Sequence, residues 1–155
     1  MCGRTSTAPA LPKKDEDQAI GQSRGGLSTK IHALVDALGN PLAFLLTSGQ
    51  THDLVGADAL LPQMASDTLI ADKAFDADAR VREPLAAAGK SAVIPPRQNR
   101  LTPPEFDRDL YKARHLIENF FCKMKGFRRI ATRYEKTDPC FASMINIVAA
   151  VLWLQ

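Results

Sequence analysis

The run from Tyr111 to Lys125 constrains the fold most. It has long side chains of good helical propensity, no interior Gly or Pro, and Gly126 as a natural stop. At 3.6 residues per turn, Tyr111, Arg114, Glu118 and Lys125 fall within an arc of about 60° and form one polar stripe. Beside it lies an apolar face of Leu110, Ala113, Leu116, Ile117, Phe120, Phe121 and Met124. That face must dock on a core, so the helix belongs to a packed domain, and a carboxylate at its edge is held rigidly. The alternative is a solvated (i, i+4) pair of Arg114 and Glu118, which contributes only a few tenths of a kcal/mol.

The rest of the chain supplies strands for that helix to pack against. Ile31, Ala33 and Val35 alternate with Lys30, His32 and Leu34, which is a strand period. Gly39-Asn40-Pro41 then punctuates, and Leu42 to Thr47 gives the second strand of an antiparallel hairpin. Asp53 is placed to cap a helix from about Leu54 to Leu61, ended by Pro62. Thr68 to Ala71 and Ser91 to Ile94 read as short buried strands, and the segment Asp78–Ala88 between them as a helix delayed or kinked by Pro84. Asp107 stands near the start of the long helix. From Pro139 a last helix, Phe141 to Leu154, is apolar nearly all round and calls for burial against the sheet or a second subunit. The pattern is α/β, with 29–155 as one domain. Residues 1–28, rich in Pro, Ser, Thr, Gly and charge, are expected to be a flexible basic and polar lead-in.

Charge narrows the function. The net charge is only +3, but residues 97–136 carry eleven Lys and Arg against five Asp and Glu, while the first 96 carry nine against eleven. A basic segment interleaved with Phe127 and Tyr134 suits phosphate neutralisation, although it also fits a solvated face. Three widely spaced cysteines give neither a disulfide framework nor a zinc pattern and fit a reducing cytoplasm. The most apolar run, Ile145 to Leu154, is about half a membrane span, so no membrane association is expected.

Asp72 is the second chemical marker. It sits at the carboxyl end of a buried strand, the end that faces the functional crevice in open α/β sheets. Asp72 and Glu118, presented from two rigid elements, offer the hard oxygens that Mg²⁺ or Mn²⁺ takes while keeping other positions for water and phosphate. The competing reading makes Asp72 a cap or turn residue.

The spacing Tyr111, Arg114, Glu118, Lys125 resembles the signature of DDE-class transposases of bacterial insertion sequences, of the IS-four and IS-five type. Asp72-Lys73-Ala74-Phe75-Asp76, Ser23-Arg24-Gly25-Gly26, Lys30-Ile31-His32-Ala33 and Ile94-Pro95-Pro96-Arg97 resemble its other blocks, so the likeness covers about residues 17–154. The resemblance implies an RNase H-like mixed sheet flanked by helices, a two-ion Mg²⁺ or Mn²⁺ site in the complete protein, and cleavage and rejoining of DNA at transposon ends. It implies Asp72 and Glu118 as catalytic metal ligands. Tyr111, Arg114, Lys125, Arg24, Arg97, Arg128 and Arg129 become signature or DNA-contacting residues. Partners would be double-stranded transposon-end and target DNA, with a second copy or a full-length transposase, in the bacterial cytoplasm at the nucleoid. The family's first Asp, on a central first strand, has no match. Asp15 and Asp17 lie in a charged tract, and Asp36 lies at a hairpin end. The expectation is therefore an amino-terminally truncated chain lacking that strand, with two sheet edges unpaired, weak metal binding and little unaided cleavage. The alternative function is a non-catalytic remnant that binds DNA or transposase and interferes with assembly.

Overall fold

The computed structural model describes residues 2–7, 18–23 and 26–154 of the chain. Its architecture is mixed α/β. Strand β3 (Gly26–Val35) is the axis, ten residues long and paired antiparallel with β4 (Pro41–Ser48) and with β1 (Cys2–Thr7). The short β2 (Gly21–Ser23) pairs with the start of β3. The hairpin turn between β3 and β4 is held by Asp36, whose carboxylate accepts from Leu38 N, Asn40 N and Asn40 Nδ2, and by Gly39 at φ +88°. Asp36 is thus a turn residue. Burial pushes its carboxyl up, but those hydrogen bonds outweigh it and hold the carboxyl below its ordinary value.

The alternation in β3 carries two cores. Ile31 and Ala33 join one with Ile117, Phe120, Phe121 and Met124 of α4 (His115–Lys125) and Phe141, Ile145 and Val148 of α6 (Asp138–Trp153). Leu34 joins the other, with Leu54 and Ala57 of α1 (Asp53–Leu60), Leu69, Phe75, Val81, Leu85 and Ile94. In that second lobe β5 (Thr68–Ile70) and β6 (Ser91–Val93) form their own parallel pair. Between them lies a wide turn, Asp78–Arg82, that tightens into α2 (Glu83–Ala87). Pro84 lacks the N–H a regular helix would need there. The long helix is likewise broken into α3 (Arg108–Tyr111), a 3₁₀ turn (Lys112–Arg114) and α4, with Asp107 capping Asp109 N and Leu110 N at 2.9 Å each. After α5 (Arg128–Ala131), β7 (Thr132–Arg133) pairs parallel with β1.

Several expectations are corrected. The opening residues do form strands. Cys2–Thr7 lies between β3 and β7, so the sheet has a strand where one was expected to be missing. Its sequence, Cys-Gly-Arg-Thr-Ser-Thr, shows no apolar alternation and no acidic residue; pairing with β3, not patterning, sets it. The Asp72 strand does not adjoin it: among the described residues β5 pairs with β6, and α4 packs on the β3 sheet rather than on the β5 sheet. His52, not Asp53, caps α1 through Nδ1, because the Asp53 carboxylate is drawn to the buried Lys30 ammonium at 2.7 Å. Helix α6 is only half covered: Ile147, Val151 and Trp153 remain exposed. No helix among the described residues is long and apolar enough to cross a membrane.

Candidate active site

The two lobes meet at a pair of carboxylates. Asp72 lies two residues beyond β5, in extended backbone (φ −69°, ψ 160°), at the head of a 3₁₀ turn over Lys73–Phe75. Ala71 N donates to Val93 O at 3.2 Å, which prolongs the β5–β6 pairing up to Asp72's doorstep. The Asp72 carboxylate does not cap its own turn and is therefore free to face outward. Glu118 comes from the opposite core, in the first turn of α4, where Ile117, Phe120, Phe121 and Met124 fix the helix and leave position 118 at its rim.

Arg114 ties them. Its Nη1 stands 3.5 Å from Asp72 Oδ2, and its Nη2 donates to Glu118 Oε1. One planar guanidinium thus faces both carboxylates and brings them to the same rim of the molecule. The Arg114 guanidinium lies 5.8 Å from the centre of the Tyr111 ring, which is itself set edge-on against Phe106 at 5.6 Å. Burial pushes the Tyr111 hydroxyl up, against the opposing pull of Arg114, so it stays protonated at neutral pH. Tyr111, Arg114, Glu118 and Asp72 thus form one cluster.

The donor chemistry suits one hard dication. Both side chains are carboxylates, 41% and 55% exposed, a donor type and exposure compatible with the waters that Mg²⁺ or Mn²⁺ retains. A three-ligand cage is absent: among the described residues no three His, Cys, Asp or Glu side chains gather.

The remaining candidate residues divide. Lys125 and Arg128 are exposed and make no ion pair among the described residues, so they are available to phosphate. Arg129 pairs with Glu135 at 2.9 Å. Arg97 spends its guanidinium on the carbonyls of Lys73 and Ala74. Arg24 lies outside the described residues. Charge counting overstated the basic surface for the same reason: Arg100 is tied to Asp76 and Asp78, and Arg133, fully buried, donates to Gln18 O, Thr29 Oγ1, Glu135 O and Asp138.

One acidic residue near the site escaped sequence reasoning. Asp76, four residues past Asp72, is buried and accepts from Arg97 N at 2.9 Å, Arg82 Nε at 3.0 Å and Arg100 Nη1 at 2.9 Å. Burial pushes its carboxyl up, yet these donors outweigh it and hold it below its ordinary value. Its place in the Asp72 block was the available signal.

Comparison with known proteins adds lineage to this geometry. Residues 4–153 match a family model described as "Transposase DDE domain". Over 133 residues the chain is 41% identical to "Putative transposase for insertion sequence element IS6501" of Brucella ovis, a match spanning 83% of this chain and 100% of that protein. No solved structure matches the chain.

Proposed function

The chain belongs to the transposase DDE domain family, and we propose that Asp72 and Glu118 are its acidic metal ligands for phosphodiester cleavage and strand transfer at insertion-sequence ends. The observation that carries this reading is the shared guanidinium: one side chain, Arg114, reaches both carboxylates from separate lobes. An RNase H-like arrangement is the fold reading that goes with it, since cores on the two faces of β3 bring the Asp72 turn, after β5 of the smaller sheet, and the Glu118 helix to one rim.

The residues divide the work by charge. Two carboxylates alone would repel a DNA phosphate; Arg114 offsets part of that charge and holds the pair in register. Mg²⁺ or Mn²⁺ bound there would activate the attacking oxygen and stabilise the leaving one. Arg114 is then the group free to turn to a phosphate oxygen, with Tyr111 behind it restricting its swing. Lys125 and Arg128 add sequence-independent phosphate contacts. In the reaction scheme of this family, water opens the phosphodiester to free a 3′-hydroxyl, which attacks target DNA. Two carboxylates among the described residues, where the scheme uses three, make slow cleavage the expectation for this chain.

The test is incubation with Mn²⁺ and a duplex carrying the inverted repeats that flank the reading frame. Slow nicking at the repeat end, lost in both Asp72→Asn and Glu118→Gln while duplex binding persists, is the expected result. Binding without any nicking, or nicking that survives either substitution, overturns it.

A further inference from the structure

The Asp72 carboxylate has a weak hold of its own. It makes no bond to the turn it heads, and its one side-chain partner among the described residues, Arg114, stands at a loose 3.5 Å. A two-ligand site has no spare ligand to absorb such freedom, because a productive geometry tolerates only about 0.5 Å of error. Whatever fixes Asp72 must therefore act on the backbone around it. Two contacts do so, both made by Arg97 in the segment after β6. Arg97 Nη2 donates to Ala74 O at 2.9 Å and Nε to Lys73 O at 3.3 Å, so the guanidinium clamps the two residues that follow Asp72. Arg97 is in turn seated by its own N–H on Asp76 Oδ2. Asp76 is anchored by Arg82 and Arg100, and Arg82 also donates to Ile94 O at 2.8 Å. The turn, the end of β6 and the segment after it are thereby locked into one unit around a carboxylate that never reaches solvent.

We propose that Asp76 and Arg97 are positioning residues that set the direction in which the Asp72 carboxylate leaves β5, and that Arg97 acts through this turn rather than on DNA. The proposal rests on the reading of Asp72 as a metal ligand. It makes a sharp chemical distinction. A phosphate contact needs only positive charge near the backbone and tolerates lysine. Clamping two successive carbonyls needs the flat, two-sided guanidinium fork, which a single ammonium does not supply.

Free Mn²⁺ is followed by electron paramagnetic resonance during titration of the wild-type chain, Arg97→Lys, Arg97→Gln, Asp76→Asn and, as a remote control, Arg80→Gln. Arg80 makes an exposed pair with Asp58 in the same lobe. Thermal unfolding of each variant sets a temperature at which all are folded. Residues that orient a ligand indirectly cost about tenfold or more in metal affinity. Arg97→Lys, at an exposed position, should weaken Mn²⁺ binding about tenfold. Arg97→Gln, which removes the charge as well as the fork, should leave the salt dependence of binding to a random-sequence duplex unchanged. Arg80→Gln should match the wild type. Mn²⁺ affinity retained in Arg97→Lys overturns the proposal, as does a shallower salt slope in the charge-removing Arg97→Gln with its metal binding intact. An Asp76→Asn chain that melts earlier yet binds Mn²⁺ normally below its transition also overturns it, since the role would then be structural only. If the wild type itself binds no Mn²⁺, the reading of Asp72 and Glu118 falls first and takes this one with it.

Discussion

Glu118 and Asp72 reach the same guanidinium by different means. Glu118 rides on a regular helix whose buried face, Ile117, Phe120, Phe121 and Met124, packs on β3, so its position is set by backbone periodicity and a shared apolar core. Asp72 stands past the end of a three-residue strand, and its turn is fixed by a polar network of Asp76, Arg82, Arg97 and Arg100. One carboxylate is held by area, the other by a few directional bonds. The first arrangement resists local substitution and fails only with the domain. The second can lose its geometry while the domain stays folded.

That contrast can be broken in order of size. Phe120→Ala removes a ring that stacks with Phe44 at 5.9 Å and is almost fully buried. It should cost about 3–5 kcal/mol in urea unfolding. A loss under about 1 kcal/mol would mean that α4 is not held by its core. Next comes the seam between the lobes, where His32 is buried under α1 and a Cβ at Gly56 would lie 2.1 Å from its Nδ1. Burial, then the neighbouring Lys30, push His32 from 6.5 down to about 4. Since the folded state prefers neutral imidazole, the unfolded chain takes up the proton first. Stability is full above pH 6.5 and falls towards pH 4, by at most about 3 kcal/mol. Asp76 acts in a separate window: held low in the folded state, it loses its contribution only below its ordinary 3.8. His32→Gln should flatten the pH 4–6.5 slope in urea titrations and leave the more acidic limb intact. A slope that survives would assign it elsewhere. The smallest effect is Asp107→Ala, which removes the cap on Asp109 N and Leu110 N and should cost about 1 kcal/mol. It should speed amide exchange in α3 while sparing α4; equal acceleration in both would show that the 3₁₀ turn does not separate them.

The same contrast explains what the sequence could reveal. Alternation exposed β3, the Gly39-Asn40-Pro41 punctuation set off β4, and helical periodicity exposed the α4 face, all of them local signals. Asp107 before the helix and Pro84 within the irregular turn were equally local signals. Strand β1 was illegible, since Cys2–Thr7 is polar and owes its form to pairing with a distant partner. Capping by His52 was hidden by Lys30, which lies more than twenty residues away and claims Asp53. The basic character of residues 97–136 was countable, but its meaning was not. Arg133 serves the core and Arg97 the Asp72 turn, while Lys125 and Arg128 remain at the surface. Short-range signals thus singled out both Glu118, on its helix, and Asp72, after its strand. The network that holds the Asp72 turn depends mostly on contacts between residues twenty or more apart, which spacing does not record.

The central claim, that Asp72 and Glu118 converge on one cation, is tested most directly by anomalous diffraction from crystals of this chain soaked in Mn²⁺. The account predicts a single peak at about 2.1–2.3 Å from a carboxylate oxygen of each residue, with the Arg114 guanidinium displaced from between them. A peak on one carboxylate alone, or none at this rim while both side chains are ordered, would contradict it.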